Sequence, residues 1–248
     1  MPAPLVSVLL PVRDGAAHMA DALASLSAQA FPDFEVLVVD DGSRDDSAEI
    51  AHLHARADRR FRVLRQGPAG IVAALERARA EARGSLLARM DADDVALPER
   101  LALQVEALRE EKLAACGGGV EYFPREAVRD GARRYERWLN GLVTAEAAAR
   151  DVFVECPLPH PTLVVRREAL AAVGGYRDPG WPEDYDLVLR LWARGARFRN
   201  VEQVVLRWRE HAARRSRTDV ALARDAFVRC KVHHLRETLL RGFPSVVV

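Results

Sequence analysis

Phe34-Glu35-Val36-Leu37-Val38-Val39-Asp40-Asp41-Gly42-Ser43 is a nearly continuous apolar run that stops on two carboxylates and a turn. Such a run, rich in β-branched residues, reads as a strand buried on both faces. The same reading applies upstream to Leu5–Leu10, ended by Pro11, and downstream to Phe61–Leu64 and Ser85–Met90. Between these runs the apolar residues fall at helical spacing. Ala22, Leu23, Leu26 and Ala30 mark a helix over Met19–Gln29, and Asp45–Ala57 and Gly70–Ala82 also read as helices. Strand and helix therefore alternate as far as Asp91. Parallel neighbours need crossover connections, so this order predicts an α/β fold: a mostly parallel central sheet flanked by helices. Ligands of such sheets bind beyond the carboxyl ends of the strands, where both Asp40-Asp41 and Asp91-Ala92-Asp93-Asp94 fall.

Past Pro98 the pattern predicts a helix to about Lys112 and a glycine-bearing strand over Ala114–Tyr122. A strand at Thr162–Val165, a helix over Arg167–Val173 closed by Gly174-Gly175, a helix over Asp184–Arg194 and a last strand over Phe198–Leu206 follow. Residues 212–241 read as one long arginine-rich helix, and the apolar tail Phe243–Val248 is expected to dock on the domain. The expected organisation is one domain over 1–211, its halves meeting near 97/98, with 212–248 as a helical extension packed on it.

The chain has 248 residues, 37 Lys+Arg against 36 Asp+Glu, and 49% hydrophobic residues. That is enough to bury one sizeable core, and the charge balance leaves no basic footprint for general nucleic-acid binding. Cys116, Cys156 and Cys230 form no CxxC pair, which fits a reducing compartment. Neither a leader-like start nor a long apolar run is seen, so the expected location is cytoplasmic. Two readings of 212–241 stand side by side. It packs on the domain with a solvated basic face, the preferred one, or it makes peripheral contact with the inner membrane face.

Three acidic clusters carry the chemistry. Asp91, Asp93 and Asp94 are too close to ionise together near a core without a counter-charge, and a divalent cation removes that penalty. Mg²⁺ and Mn²⁺ take carboxylate oxygen together with substrate phosphates. The alternative is that Asp93 or Asp94 caps the helix starting near Pro98. Asp40 and Asp41 either cap the helix near Asp45 or accept a hydrogen bond from a nucleobase or ribose. Glu183 and Asp184 open the helix of Leu187 and Leu191. They either complement its dipole or supply a general base to a hydroxyl.

Val8-Leu9-Leu10-Pro11-Val12, Val38–Ser43, Met90–Asp94, Gly174-Gly175-Tyr176 and Glu183-Asp184-Tyr185-Asp186-Leu187, in this order and spacing, resemble glycosyltransferase family 2 over roughly residues 5–211. The resemblance implies the GT-A fold and inverting transfer of a sugar from a nucleoside diphosphate sugar, with a UDP-sugar favoured, to a hydroxyl acceptor. By the same resemblance Pro11 and Arg13 begin the nucleotide pocket. Asp41, beside Asp40, meets the base; Asp91 and Ala92 lie on the ribose and metal side; Arg77 helps hold the donor. Asp93, with Asp91 and Asp94, would bind Mn²⁺ or Mg²⁺, and His211 falls where a histidine approaches the metal. Asp184 would be the catalytic base with Glu183 beside it. His160 would line the acceptor side or order its own loop. One departure is Glu76 before Arg77, where the family often has asparagine. Two other readings are a nucleotidyltransferase, disfavoured because Pro11–Gly15 is not a glycine-rich basic loop, and an inactive scaffold of the same fold.

Overall fold

The computed structural model describes residues 3–109, 112–211 and 224–241. Strands β1 (Val6–Val12), β2 (Phe34–Asp41), β3 (Phe61–Gln66) and β4 (Leu86–Arg89) alternate with helices α1 (Ala16–Ser27), α2 (Ser47–Ala57) and α3 (Ile71–Glu81). Then come β5 (Val95–Ala96), α4 (Arg100–Arg109), β6 (Leu113–Phe123), α5 (Asp130–Asn140), α6 (Ala145–Arg150), β7 (Val164–Arg166), α7 (Arg167–Ala172), α8 (Glu183–Ala193), β8 (Arg197–Arg209) and α9 (Arg224–Arg241).

The eight strands form one sheet in the order β3-β2-β1-β4-β7-β6-β8-β5. The chain runs outward from β1 to β3, then returns to lay β4 on the other side of β1. That reversal opens a crevice at the carboxyl ends of β1 and β4. The first four strands are parallel; β7 is antiparallel to both β4 and β6, and β5 to β8.

The apolar strands are buried on both faces because each face has its own helices. Val6, Val8, Leu10, Val36 and Val38 pack with Leu23, Leu26 and Leu101 on one side. Leu9, Leu37 and Val39 pack with Leu75, Leu187 and Leu191 on the other. Glu35, inside this apolar run, is buried but satisfied: it accepts hydrogen bonds from Ser7 Oγ (2.8 Å) and from Arg83 N (2.8 Å) and Nε (2.9 Å).

The structure departs from the expected elements at two places. Pro11 does not end β1, which runs on to Val12. Leu9 turns its carbonyl to Met90 N, and by alternation Pro11 faces the same side, where β4 has already stopped. Its missing N–H therefore costs no ladder bond. The two-residue β5 was not foreseen, since nothing that short has a period to read. Of the helix expected over 212–241, the structure describes α9; residues 212–223 and the tail from Phe243 lie outside the described residues. In α9, Phe227 and Cys230 contribute to the core cluster on the α8 face.

The glycines of β6 are a packing requirement. A Cβ on Gly117 would overlap Asn200 Oδ1, and one on Gly118 would overlap Val205, both on β8. Gly117→Ala should therefore lower stability by roughly 2–3 kcal/mol through overpacking. A urea midpoint within error of wild type would show that β8 can shift to make room.

Candidate active site

A cavity of about 480 Å³ occupies the crevice at the sheet's switch point. Pro11, Val12 and Arg13 reach it from the end of β1, Asp41 from β2, and Asp91, Ala92 and Asp93 from the turn after β4. His211 closes it from beyond β8, and Gly70 and Ile71 enter from the start of α3. The sheet thus gathers Pro11, Arg13, Asp41, Asp91, Ala92, Asp93 and His211, residues far apart in the chain.

The rim loops are laced together. Asp14 takes a positive φ of 51°, and the successive N–H groups of Asp14, Gly15 and Ala16 donate to Ser43 Oγ (3.0 Å), Ser47 Oγ (2.8 Å) and Asp45 (2.9 Å). Asp41 accepts from Gln66 Nε2, Ala69 N and Gly70 N, each at 2.8 Å, so it holds the loop that starts α3 while facing the cavity. Neither Asp40 nor Asp41 caps α2. Asp40 is a correction: it is fully buried, does not line the cavity, accepts from Ser43 N (2.9 Å) and pairs with Arg65 (3.3 Å). Period-2 alternation sends neighbouring side chains to opposite faces, so only one of the two can reach a ligand.

The helix-cap reading of Asp93 and Asp94 also fails. α4 begins with Arg100 N bonded to Leu97 O, and the carboxylates are used elsewhere. Pairing of β5 with Leu206 and Arg207 folds the end of β8 over the acidic turn. Arg209 N donates to Asp94 (2.8 Å), Arg209 Nε donates to the carbonyl of Asp93 (2.7 Å), and His211 Nε2 meets Asp93 Oδ2 at 2.9 Å. Asp94 is buried and lies behind the cavity wall. One oxygen each of Asp91, Asp93 and Asp94 lie within 4.8 Å of one another. Carboxylate oxygens this close, with an imidazole adjoining, fit a divalent cation.

Two buried arginines lie beneath this turn, and neither was foreseen. Arg89 pairs with Asp91. Arg100 donates to Met90 Sδ (3.0 Å), the Arg89 carbonyl (2.6 Å) and Gln104 (3.2 Å); burial, then repulsion from Arg89, bring its pKa down to about 9. His18 was missed too. The helix expected from Met19 in fact starts at Ala16, which puts His18 on the cavity wall with its ring 5.4 Å from that of His211. Burial first, then Arg209 and His211, lower its pKa below the ordinary imidazole value.

Glu183 and Asp184 occupy the first turn of α8, behind the cavity rather than on its wall. Arg89 connects the two regions, since its charge acts on Asp91, Glu183 and Asp184. Burial, and then Glu183, push the Asp184 carboxyl up to about 7; the Tyr185 N–H (2.7 Å) and Arg89 oppose the rise. Arg77 is a further correction, being exposed on α3 and away from the cavity. Glu76, the departure noted above, has a local task. It pairs with Arg79 and accepts the Tyr176 N–H (2.7 Å), fixing the turn at Gly175, whose φ is 75°. His160 is buried against Tyr176, 3.3 Å from its hydroxyl, and orders that loop.

Residues 7–174 match the model of the glycosyl transferase family 2. O-antigen biosynthesis glycosyltransferase WbnJ of Escherichia coli is 27% identical over 242 residues, 95% of this chain and 89% of WbnJ. In three dimensions the chain is similar to TarS of S. aureus, solved with UDP-GlcNAc: TM-score 0.76, 18% identity, 94% of this chain and 66% of that one. It is also similar to the mannosyltransferase PcManGT of Pyrobaculum calidifontis, solved with GDP-Man and Mn²⁺: TM-score 0.68, 17% identity, 99% and 78%. Glu183, Asp184 and His211 lie beyond the matched stretch, so their case rests on the geometry above. With its α/β sheet, its switch-point cavity and these likenesses, the chain belongs to glycosyl transferase family 2 and is a glycosyltransferase of the GT-A fold.

Proposed function

We propose that this enzyme moves a sugar from a nucleoside diphosphate sugar, a UDP-sugar in the first instance, to a hydroxyl acceptor with inversion and with Mn²⁺ or Mg²⁺ bound. The observation that carries the reading is the distribution of charge around one cavity. Asp41 stands at one end, Asp91, Asp93 and His211 stand at the other, and a carboxyl with a raised pKa lies behind them across Arg89. Asp91, Asp93 and His211, with Asp94 beneath, would hold the metal, which when bound offsets charge on the departing diphosphate. The protein's own part is to orient the donor and to receive a proton. The start of α3, with Gly70 and Ile71, forms part of the cavity wall, and Asp41 fixes it there by accepting from Ala69 N and Gly70 N. Asp184 takes the acceptor's hydroxyl proton as the new bond forms. Its pKa near 7 suits a base working near neutrality.

The likeness to WbnJ, an O-antigen biosynthesis glycosyltransferase, supports an acceptor in O-antigen or a related polysaccharide. No helix among the described residues is long and apolar enough to cross a membrane. We propose a cytoplasmic location, with any membrane contact peripheral and through 212–241.

Melting curves with a panel of nucleotides and nucleotide sugars, with and without Mn²⁺, test this directly. A ligand at a hundred times its Kd should stabilise the folded state by about 2.7 kcal/mol. The expected result is a Mn²⁺-dependent rise with UDP, larger with one UDP-sugar. A rise confined to a guanine nucleotide would overturn the donor, and no rise with any of them would overturn the site.

A further inference from the structure

A second cavity, of about 260 Å³, opens between the ends of α7 and α8 and the body of α9, and shares no wall residue with the first. Arg177, Arg190, Arg194, His233, Glu237 and Thr238 line it. Three guanidinium groups line it with one carboxylate, Glu237, which is itself engaged; Arg177 and Arg190 also pair with a second carboxylate behind the wall. This second carboxylate is Asp186, fully buried. It accepts from Arg177 Nε and Nη2 (both 2.8 Å), Arg190 Nε (2.7 Å), Trp181 Nε1 (3.0 Å) and His234 Nε2 (3.0 Å). That carboxylate has no capacity left for further donors.

Arg190 is the informative side chain. Its Nη1 donates to the Val173 carbonyl at the end of α7, the usual use of a cation at a helix C-terminus. Its Nη2 is buried and has no hydrogen-bond acceptor among the described residues. An unmatched guanidinium N–H is costly, and an oxyanion is its natural partner. Arg194 is exposed at the rim, and Arg177 is half-exposed.

We propose that this cavity binds a phosphate group, held by Arg190 and Arg177 within and by Arg194 and His233 at the mouth. The space is about half that of the nucleotide cavity, which suits one phosphate group better than a whole nucleotide sugar. Free phosphate and a lipid headgroup share this chemistry. Bound there, the group bridges α8, which carries Asp184, to α9.

The test is equilibrium dialysis of the full chain against radiolabelled inorganic phosphate, in chloride buffer with EDTA. The expected result is saturable uptake of one phosphate per chain, unchanged by Asp93→Asn and weakened about tenfold by Arg194→Gln. His233→Gln is the second variant, and near-ultraviolet circular dichroism confirms that each is folded. Vesicles of phosphatidic acid and of phosphatidylserine form the other arm. Retention on the former alone, lost with Arg194→Gln, supports the lipid source. Uptake abolished by Asp93→Asn but kept by Arg194→Gln puts the phosphate in the nucleotide cavity and overturns the proposal. So does the absence of saturable uptake together with equal retention on both lipids.

Discussion

Asp93→Asn should remove Mn²⁺-dependent donor binding and lower transfer by about a hundredfold to a thousandfold, the usual loss when one charge-stabilising group is taken from a reacting centre. Asp93 is the cluster's most committed member. It lines the cavity, and it meets His211 at 2.9 Å. Asp94 has one oxygen on Arg209 N, and Asp91 is paired with Arg89, so each is already partly neutralised. The substitution keeps the shape and removes one charge. The fold should be unaffected, because Asp93 is part-exposed and Arg209 binds its backbone carbonyl rather than its carboxylate. The readout is the melting shift on adding UDP with Mn²⁺, alongside transfer activity. A variant that keeps the Mn²⁺-dependent shift would move the metal away from Asp93. His211→Ala should act in the same direction and more weakly, since it leaves all three carboxylates in place.

The nucleotide side of this site was legible because its signals are local. Buried strands of four to eight residues that end on carboxylates announce a switch-point crevice, and β1, β2 and β4 lie within the first ninety residues. What stayed hidden depends on side-chain direction or on partners distant in sequence. Asp40 and Asp41 look alike as letters, and only the pleat decides which one faces the cavity. Arg89 and Arg100 read as a strand residue and a helix residue, yet they form the cationic floor under the acidic turn, where a charge is buried only beside opposite charge or strong acceptors. His18 was lost to an error of three residues in a helix start. Arg77 was carried over by resemblance alone, and the exposed face of α3 shows that its neighbour Glu76, tied to Tyr176, does the structural work there.

Asp184→Asn should abolish transfer and, at neutral pH and above, make the protein more stable. Both effects come from the same shift. The Asp184 carboxyl titrates near 7 in the folded protein, raised by burial and by Glu183, whereas an unfolded aspartate titrates near 3.9. Below about pH 4 both states hold the proton and the residue is neutral in its effect. Between about 4 and 7 the unfolded chain loses the proton while the folded one keeps it, so stability falls as pH rises. Above 7 the full penalty is present. Asparagine is neutral throughout and can still accept the Tyr185 N–H through its carbonyl oxygen, so it removes the penalty without leaving that donor unmatched. Asp184 is partly exposed, and its repulsion with Glu183 can relax. The gain at pH 8 should therefore be about 1–2 kcal/mol, a rise of a few degrees in Tm that shrinks towards zero at pH 4. Transfer should fall by about 10²–10⁴-fold, the ordinary contribution of a general base. In the wild type, kcat/KM should climb with pH and level off above about 7, because only the ionised carboxylate accepts the hydroxyl proton. Unchanged activity in Asp184→Asn, with loss in Glu183→Gln, would pass the base to Glu183. A variant that loses activity yet melts no higher at pH 8 would show that Asp184 is ionised in the folded protein at no cost, with Arg89 outweighing the burial.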